Sequence, residues 1–522
     1  MPQPQPQTLL DLLKQRAELA PQQAAFFWGD QPFSFEWLWR GVNRFASELQ
    51  RLGVAGGESV LICLPNGPDF FLAFYGAQRA GAMAVPLFPA SGLARITATA
   101  QLCGAQILIV PDAAREDLTG LRTVSVAGSA DCLPQGSFPD VRPDDIAFLQ
   151  YTSGSTGTPK GVMLSHRGLL TNVEQLIAGM GLSASDCFVS WLPVYHDMGL
   201  IFMTMVPFFL GAKLVLLPTA LANARPWLGA LSRHHGTVTA APDFAYRLAL
   251  RSVRDSAAYD LSSLRIALNA AEPVRPSTIE GFERAFGLRN VLIAGYGLAE
   301  ATVGVSAWPP GLPPLVDGRG VVSVGYPFPG INVQIIENGQ PLASGQIGEI
   351  VVHGPANTRG YFSDPAETAR LFWRDAYIRT GDLGYLDDLG RLFVTGRLKN
   401  IIKHGGETIF PQEAEQIVDL LPFVRRCAAV GIDSGGPEGE QLWLFTELSR
   451  PGGYGEPEFY DATVEVVQRI QAQLGIRPGR VYLLRPHSIP LTHNGKTQHA
   501  TLRDLFLSGS LRACNAILFP GY

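Results

Sequence analysis

At 522 residues the chain exceeds what one hydrophobic core organises, so at least two domains are expected. Apolar residues make up 46% and charged residues 17%, which excludes an intrinsically disordered chain. A net charge of −5 supplies no electrostatic attraction to nucleic acid or to an anionic membrane.

The Pro/Gln-rich start, residues 1–7, lacks the basic and apolar regions of a secretory signal. Residues 8–50 hold two amphipathic helix candidates, the second opening on Ser34 as N-cap and stopping before Gly53. Residues 58–65, 82–87 and 107–110 read as short buried strands, with a helix over 69–80 between the first two. This alternation predicts parallel strands with helices on their faces and a ligand site beyond the carboxyl ends of the strands.

There the chain places Thr152, Ser153, Gly154, Ser155, Thr156, Gly157, Thr158, Pro159, Lys160 and Gly161, a loop expected between a strand ending near Gln150 and a helix after His166. Exposed N–H groups, hydroxyls and one lysine suit an anion, against the plainer reading of a flexible surface loop. It is not the loop of P-loop kinases and ATPases, because only two residues separate Gly154 from Gly157 and Lys160 precedes a glycine.

Residues 198–212 are nearly all apolar, but Pro207 interrupts them and Lys213 ends them, short of the roughly 20 residues a membrane-crossing helix needs. A buried helix and strand beside an apolar pocket are expected, and no integral membrane segment. Before them, Trp191–Gly199 forms a polar break that includes His196 and Asp197. Residues 237–242, 266–273 and 291–297 each predict a strand running into a small-residue turn. Such ends let a flat ligand approach backbone closely, although ordinary strand-to-helix turns look the same.

From about Gly325 short strands and turns predict a small β-rich subdomain, and after Arg397 the last stretch reads as a compact α/β unit. Six cysteines, at 63, 103, 132, 187, 427 and 514, form no CxxC pair; this argues against thiolate metal sites and a disulfide framework and fits a reducing, cytoplasmic compartment.

Taken with that order of elements, six motifs resemble the acyl-adenylate-forming superfamily, which includes acyl-CoA synthetases, amino-acid adenylation domains, luciferases and fatty acyl-AMP ligases. They are Thr152–Gly161, Tyr296–Thr302, Gly348–Ile350, Thr380–Gly384, Gly396–Lys399 and Asn494–Lys496. Residues 190–200, Ala271-Glu272-Pro273 and Tyr296–Thr302 are most similar to the fatty acyl-AMP ligase branch. The resemblance implies an α/β fold: a large N-terminal domain (1–397) of two βα-layered subdomains and a small β-rich one, then a small mobile α/β domain (398–522). It also implies two reactions: a carboxylate attacks the α-phosphorus of ATP to give acyl-AMP and pyrophosphate, and a phosphopantetheine thiol then takes the acyl group.

The roles implied fall on matching residues. The 152–161 loop, with Lys160, would hold the β- and γ-phosphates, and Glu300 would hold Mg²⁺. Tyr296 and Gly297 would pack on one adenine face, with Ala271, Glu272 and Pro273 on the other. Asp382 would accept from the ribose hydroxyls, with Arg397 beside it. Lys496 would serve the α-phosphate and the substrate carboxylate, and His196 the acyl end. Lys399 corresponds to the hinge, and in a second pose the Lys403–Thr408 loop would face the nucleotide.

Read singly, several have plainer explanations: Asp382 as the cap of a Thr-Gly-Asp turn, Glu300 as an acid at a helix start, His196 as half of a surface pair, Lys496 as a hairpin residue. Met203, Met205, Phe208, Phe209 and Phe244 offer apolar surface for a medium- or long-chain fatty acid, or form ordinary core. Members of the ligase branch usually carry about twenty extra residues after the Tyr296–Thr302 motif. Here only residues 303–321 intervene before Val322, a spacing nearer to that of CoA synthetases. The expected acceptor is an acyl carrier protein, with CoA as the alternative. A nucleotide- or acyl-AMP-binding relative without turnover would be expected to lack the charged set present here. A phosphotransferase would need the Lys-Ser/Thr ending and a base motif that are absent.

Overall fold

The computed structural model describes residues 5–112, 120–127, 137–152, 159–219, 223–253, 255–374, 376–404, 407–433, 440–450, 452, 455–492 and 497–519. The first sheet has six strands in the order Arg122–Val124, Ile107–Ile109, Ser59–Ile62, Met83–Pro86, Ile146–Thr152, Lys160–Ser165. All pairs are parallel except the last, an antiparallel pairing in which Thr152 faces Lys160. This corrects the expected loop between strand and helix: Lys160 and Gly161 already belong to a strand, and the helix His166–Met180 follows only after it, capped by Ser165 Oγ on the Gly168 N–H. The run Lys-Gly-Val-Met-Leu-Ser is short and half apolar, so its strand character depends on its partner 146–152.

The second sheet has nine strands, and its centre is a parallel block. Leu292–Tyr296, Ile266–Asn269 and Val238–Ala241 lie side by side and point the same way, so the three predicted small-residue turns open at one sheet edge. Beyond them stand Cys187–Ser190, Lys213–Leu216 and Ala24–Trp28. One core, rich in Phe, joins the two sheets, with Phe70, Phe71, Phe74, Phe148 and Phe208 buried together.

The apolar stretch after Asp197 is buried helix and strand, as expected, but its first part, Met198–Met205, is a π-helix in which the Val206 N–H reaches back to the Ile201 carbonyl. Among the described residues no helix is long and apolar enough to cross a membrane.

A third, antiparallel sheet is built from Asn332–Glu337, Gly348–His353, Tyr377–Leu386 and Leu392–Arg397 with two short edge strands. The plainer alternative for Asp382, the cap of a Thr-Gly-Asp turn, is not what forms here. Thr380-Gly381-Asp382 is not a turn but part of a ten-residue strand, bulged where Gly381 takes φ +68°. The last part of the chain has its own sheet, Val424–Asp433, Glu440–Leu448, Arg480–Leu484 and Ile517–Phe519, with separate cores on its two faces beginning at Ile402. The core of the larger part ends at Leu392.

Candidate active site

A cavity of about 1540 Å³ lies where the sheets and the C-terminal part meet. Most of the residues singled out in the sequence line it: Thr152, Lys160, His196, Ala271, Glu272, Pro273, Tyr296, Gly297, Glu300, Asp382, Arg397 and Lys399. Ser153, Gly154, Ser155, Thr156, Gly157 and Lys496 lie outside the described residues.

Tyr296 and Asp382 come from different sheets and meet: the Tyr296 hydroxyl donates to Asp382 Oδ2 at 2.7 Å, and Arg397 Nε sits 2.8 Å from Oδ1. Both carboxylate oxygens are therefore engaged, and a ribose would have to take over at least one of these contacts. Burial raises the Tyr296 phenol well above its ordinary pKa, with the Asp382 charge adding to it, so it stays a donor. Asp382 in turn keeps the Arg397 guanidinium charged.

Glu300 sits on a single helical turn, Ala299–Ala301, and accepts from the Tyr361 hydroxyl at 2.8 Å. Burial is the main cause raising its carboxyl above the usual glutamate range. A half-buried carboxylate whose side-chain hydrogen-bond partner among the described residues is one phenol is the type of group that a divalent cation satisfies. Tyr361 also turns its ring under Lys160, whose Nζ is 5.1 Å from the centroid. Lys160 is paired with Glu367, which Arg370 holds from the other side at 2.5 Å. The sequence reading missed Tyr361 and Glu367; the signal available was a Gly-Tyr-Phe run joining the hairpin edge, where the Phe362 N–H donates to the Gly161 carbonyl.

Two non-glycine residues with positive φ flank this region. Ala271 has φ +72° in the Ala-Glu-Pro turn, and Thr302 has φ 73° and ψ −66° in a γ-turn closed by the Val303 N–H on the Ala301 carbonyl. The Thr302 hydroxyl donates to the Ala356 carbonyl at 2.5 Å, which ties the strained turn down. Glu272 does not point across the cavity; its carboxylate accepts the Phe244 N–H at the start of the helix Asp243–Ser252. His196 Nδ1 lies 2.7 Å from Asp197 Oδ1, and that aspartate also caps the π-helix through the Met198 N–H.

The apolar lining of the cavity includes Leu176, Phe202, Leu268, Val303, Val322 and Phe328. Met203, Met205 and Phe208, which the sequence offered for this purpose, are core, and neither Phe209 nor Phe244 lines the cavity. Of the C-terminal part, Thr492, Thr497, Gln498 and His499 line the cavity. The ends of the segment containing Lys496 are held together by the Leu491–Thr497 bridge and by the Gln498 N–H on the Pro490 carbonyl. Arg426 Nη1 reaches Thr497 Oγ1 at 3.2 Å, and His499 Nε2 lies 2.6 Å from Glu415 Oε1.

Comparison with known proteins agrees with this geometry. The AMP-binding enzyme family matches residues 13–362. The long-chain-fatty-acid–AMP ligase FadD23 of Mycobacterium tuberculosis (strain CDC 1551 / Oshkosh) is 30% identical, covering 95% of this chain and 96% of that protein. The medium-chain-fatty-acid–[acyl-carrier-protein] ligase JamA of Moorena producens is 31% identical over 98% of this chain and 97% of its own length. A solved structure from work on fatty acyl-adenylate ligases of E. coli and L. pneumophila superposes with a TM-score of 0.87 at 28% identity, covering 97% of this chain and 98% of that one.

Proposed function

The chain belongs to the AMP-binding enzyme family, and from that membership we propose that it activates a medium- or long-chain fatty acid with ATP, then passes the acyl group to a phosphopantetheine thiol. The observation that carries this reading is one continuous cavity lined both by polar and charged groups, among them Tyr296, Asp382 and Arg397, and by apolar side chains, among them Phe202 and Phe328. It suits a molecule that is nucleotide at one end and hydrocarbon at the other.

In this reading the ribose binds at Asp382 and Arg397, the adenine lies between Tyr296–Gly297 and the Ala271–Pro273 turn, and the phosphates take Lys160 from Glu367 with help from the 152–157 residues. Glu300 would hold Mg²⁺, which would offset phosphate charge. A carboxylate oxygen attacks the α-phosphorus as the bond to pyrophosphate breaks. Lys496 balances the charge added there, and His196, held by Asp197, borders the acyl carboxyl. The thiolate sulfur next attacks the acyl carbonyl and AMP leaves.

The division at Arg397/Leu398, with Lys399 as hinge, belongs to the same proposal, as does a cytoplasmic setting, for which four buried free cysteines among the described residues speak. An acyl carrier protein is the acceptor we favour, on the likeness to JamA. CoA is the second reading. It rests on the short 303–321 segment and on an alignment to JamA of 580 positions, longer than this 522-residue chain, so that relative has residues this chain lacks.

Acid-dependent ATP–pyrophosphate exchange tests the first half-reaction; no exchange with any fatty acid would sink it. Lys496→Ala should suppress exchange while leaving thioester formation from supplied acyl-AMP largely intact. Intact-protein mass spectrometry of holo carrier proteins, run beside CoA, decides the acceptor.

A further inference from the structure

Away from the nucleotide contacts, the two parts of the molecule meet in a buried cluster of charge. Asp243 and Asp419 are almost wholly shielded, yet they come from opposite parts: Asp243 opens the helix Asp243–Ser252, and Asp419 ends the helix Pro411–Asp419. Arg275 bridges them, with Nη1 2.8 Å from Asp243 Oδ2 and Nη2 2.6 Å from Asp419 Oδ2. Arg247 makes the same bridge more loosely, at 3.1 Å to Asp243 and 3.8 Å to Asp419. Arg275 lies two residues after Pro273 of the Ala271–Glu272–Pro273 turn, and its own N–H donates to Asp243.

On the other side, the second oxygen of Asp419 accepts the Cys427 N–H at 2.7 Å. The neighbouring Arg426 is the residue that holds Thr497, which follows Lys496 in the chain. One carboxylate therefore joins the adenine-side turn of the large part to the base of the segment that carries Lys496.

We infer that Asp419, through Arg275 and Arg247, is the positioning residue that docks the small part for adenylation and is released before thiol transfer. This rests on the adenylation reading above. The charge arrangement fits a contact that must also come apart. Each side keeps a partner of opposite sign when the two separate: Asp243 retains Arg247 and Arg275 on the large part, while Asp419 on the small part lies near Arg426, with Glu415 and the large part's Arg251 also facing the cluster. Buried ion pairs gain little net stability over apolar packing but impose a strict geometry, which is the property a docking contact needs.

Asp419→Asn keeps an acceptor for Cys427 and removes only the charge facing Arg275. Acid-dependent exchange should fall at least about tenfold, and transfer from supplied acyl-AMP should stay within about twofold. Arg247→Gln, on the opposite part and outside the cavity, should show the same split more weakly. Combining Asp419→Asn with Arg275→Gln should add little to the larger single loss. Hydrogen exchange over 243–253 and 411–419 supplies a readout independent of catalysis and should quicken in both single variants. Equal loss of both half-reactions, unchanged exchange activity in folded Asp419→Asn, or unchanged hydrogen exchange would each overturn the inference. If the wild type itself shows no acid-dependent exchange, the adenylation reading fails, and unquickened hydrogen exchange would then overturn the docking contact on its own.

Discussion

A methyl group on Gly297 would fall 1.7 Å from the Val303 carbonyl oxygen, because the chain after the Thr302 γ-turn folds back over that glycine. Backbone, unlike a side-chain tip, has nowhere to go. Gly297→Ala should cost about 1–3 kcal/mol or more in urea unfolding and remove ATP–pyrophosphate exchange. Glu300 leads to a pH prediction. It must be ionised to hold a cation, and burial favours its protonated form, so activity is lost as pH falls through a raised pKa, earlier than an ordinary glutamate would give. The Tyr361 hydroxyl opposes that shift. Tyr361→Phe should therefore move the acid limb of kcat/KM for ATP to higher pH, and an unmoved limb would sink this reading of Glu300. Neither Tyr361 nor Asp419 was legible in the sequence as a site residue, since each acquires its role from partners that lie far off in the chain.

At the level of elements, the parallel strands 238–241, 266–269 and 292–296 were readable because each is a short apolar run ending in small residues. Lys160–Ser165 was misread, and the turn considered for Thr380–Asp382 does not form, for one physical reason. Between them they carry Gly, Thr and Lys, which suit turns locally, and strand pairing overrides that preference. Of the two readings open for Met203, Met205 and Phe208, cavity surface or ordinary core, the structure shows core; composition left both open because burial and cavity lining look alike in it. Met205 and Phe328 are both buried, and only Phe328 faces the cavity. Phe328 is wedged between the helix His166–Met180 and the loop at Gly304, so close that a Cβ on Gly179 would meet its ring at 2.2 Å and one on Gly304 at 3.0 Å. Phe328→Ala should enlarge the apolar part of the cavity. Exchange measured over a series of acids should peak at least two carbons longer, with a stability loss of about 3–5 kcal/mol.

For the whole molecule, the proposed division puts the connection between the parts at the short helical turn Leu398–Asn400, on which Lys399 is exposed and lines the cavity. Any ligand that touches both parts should shield it. Cleavage by trypsin after Lys399 should slow about tenfold when a non-hydrolysable acyl-adenosine sulfamate is saturating, and mass spectrometry of the fragments measures it. An unchanged rate would mean that the ligand does not engage both parts.

The π-helix at Met198–Met205 has a consequence for how such a wall can vary over generations. Its hydrogen bonds span five residues, one more than the α-helical spacing, and it begins directly after His196 and Asp197. Losing one residue there would restore α-helical spacing and turn the preceding residues by about 100°. His196 would leave the cavity while the downstream strand Lys213–Leu216 kept its register. In this segment single-residue changes of length, more than substitutions, are the coarse adjustment available to selection.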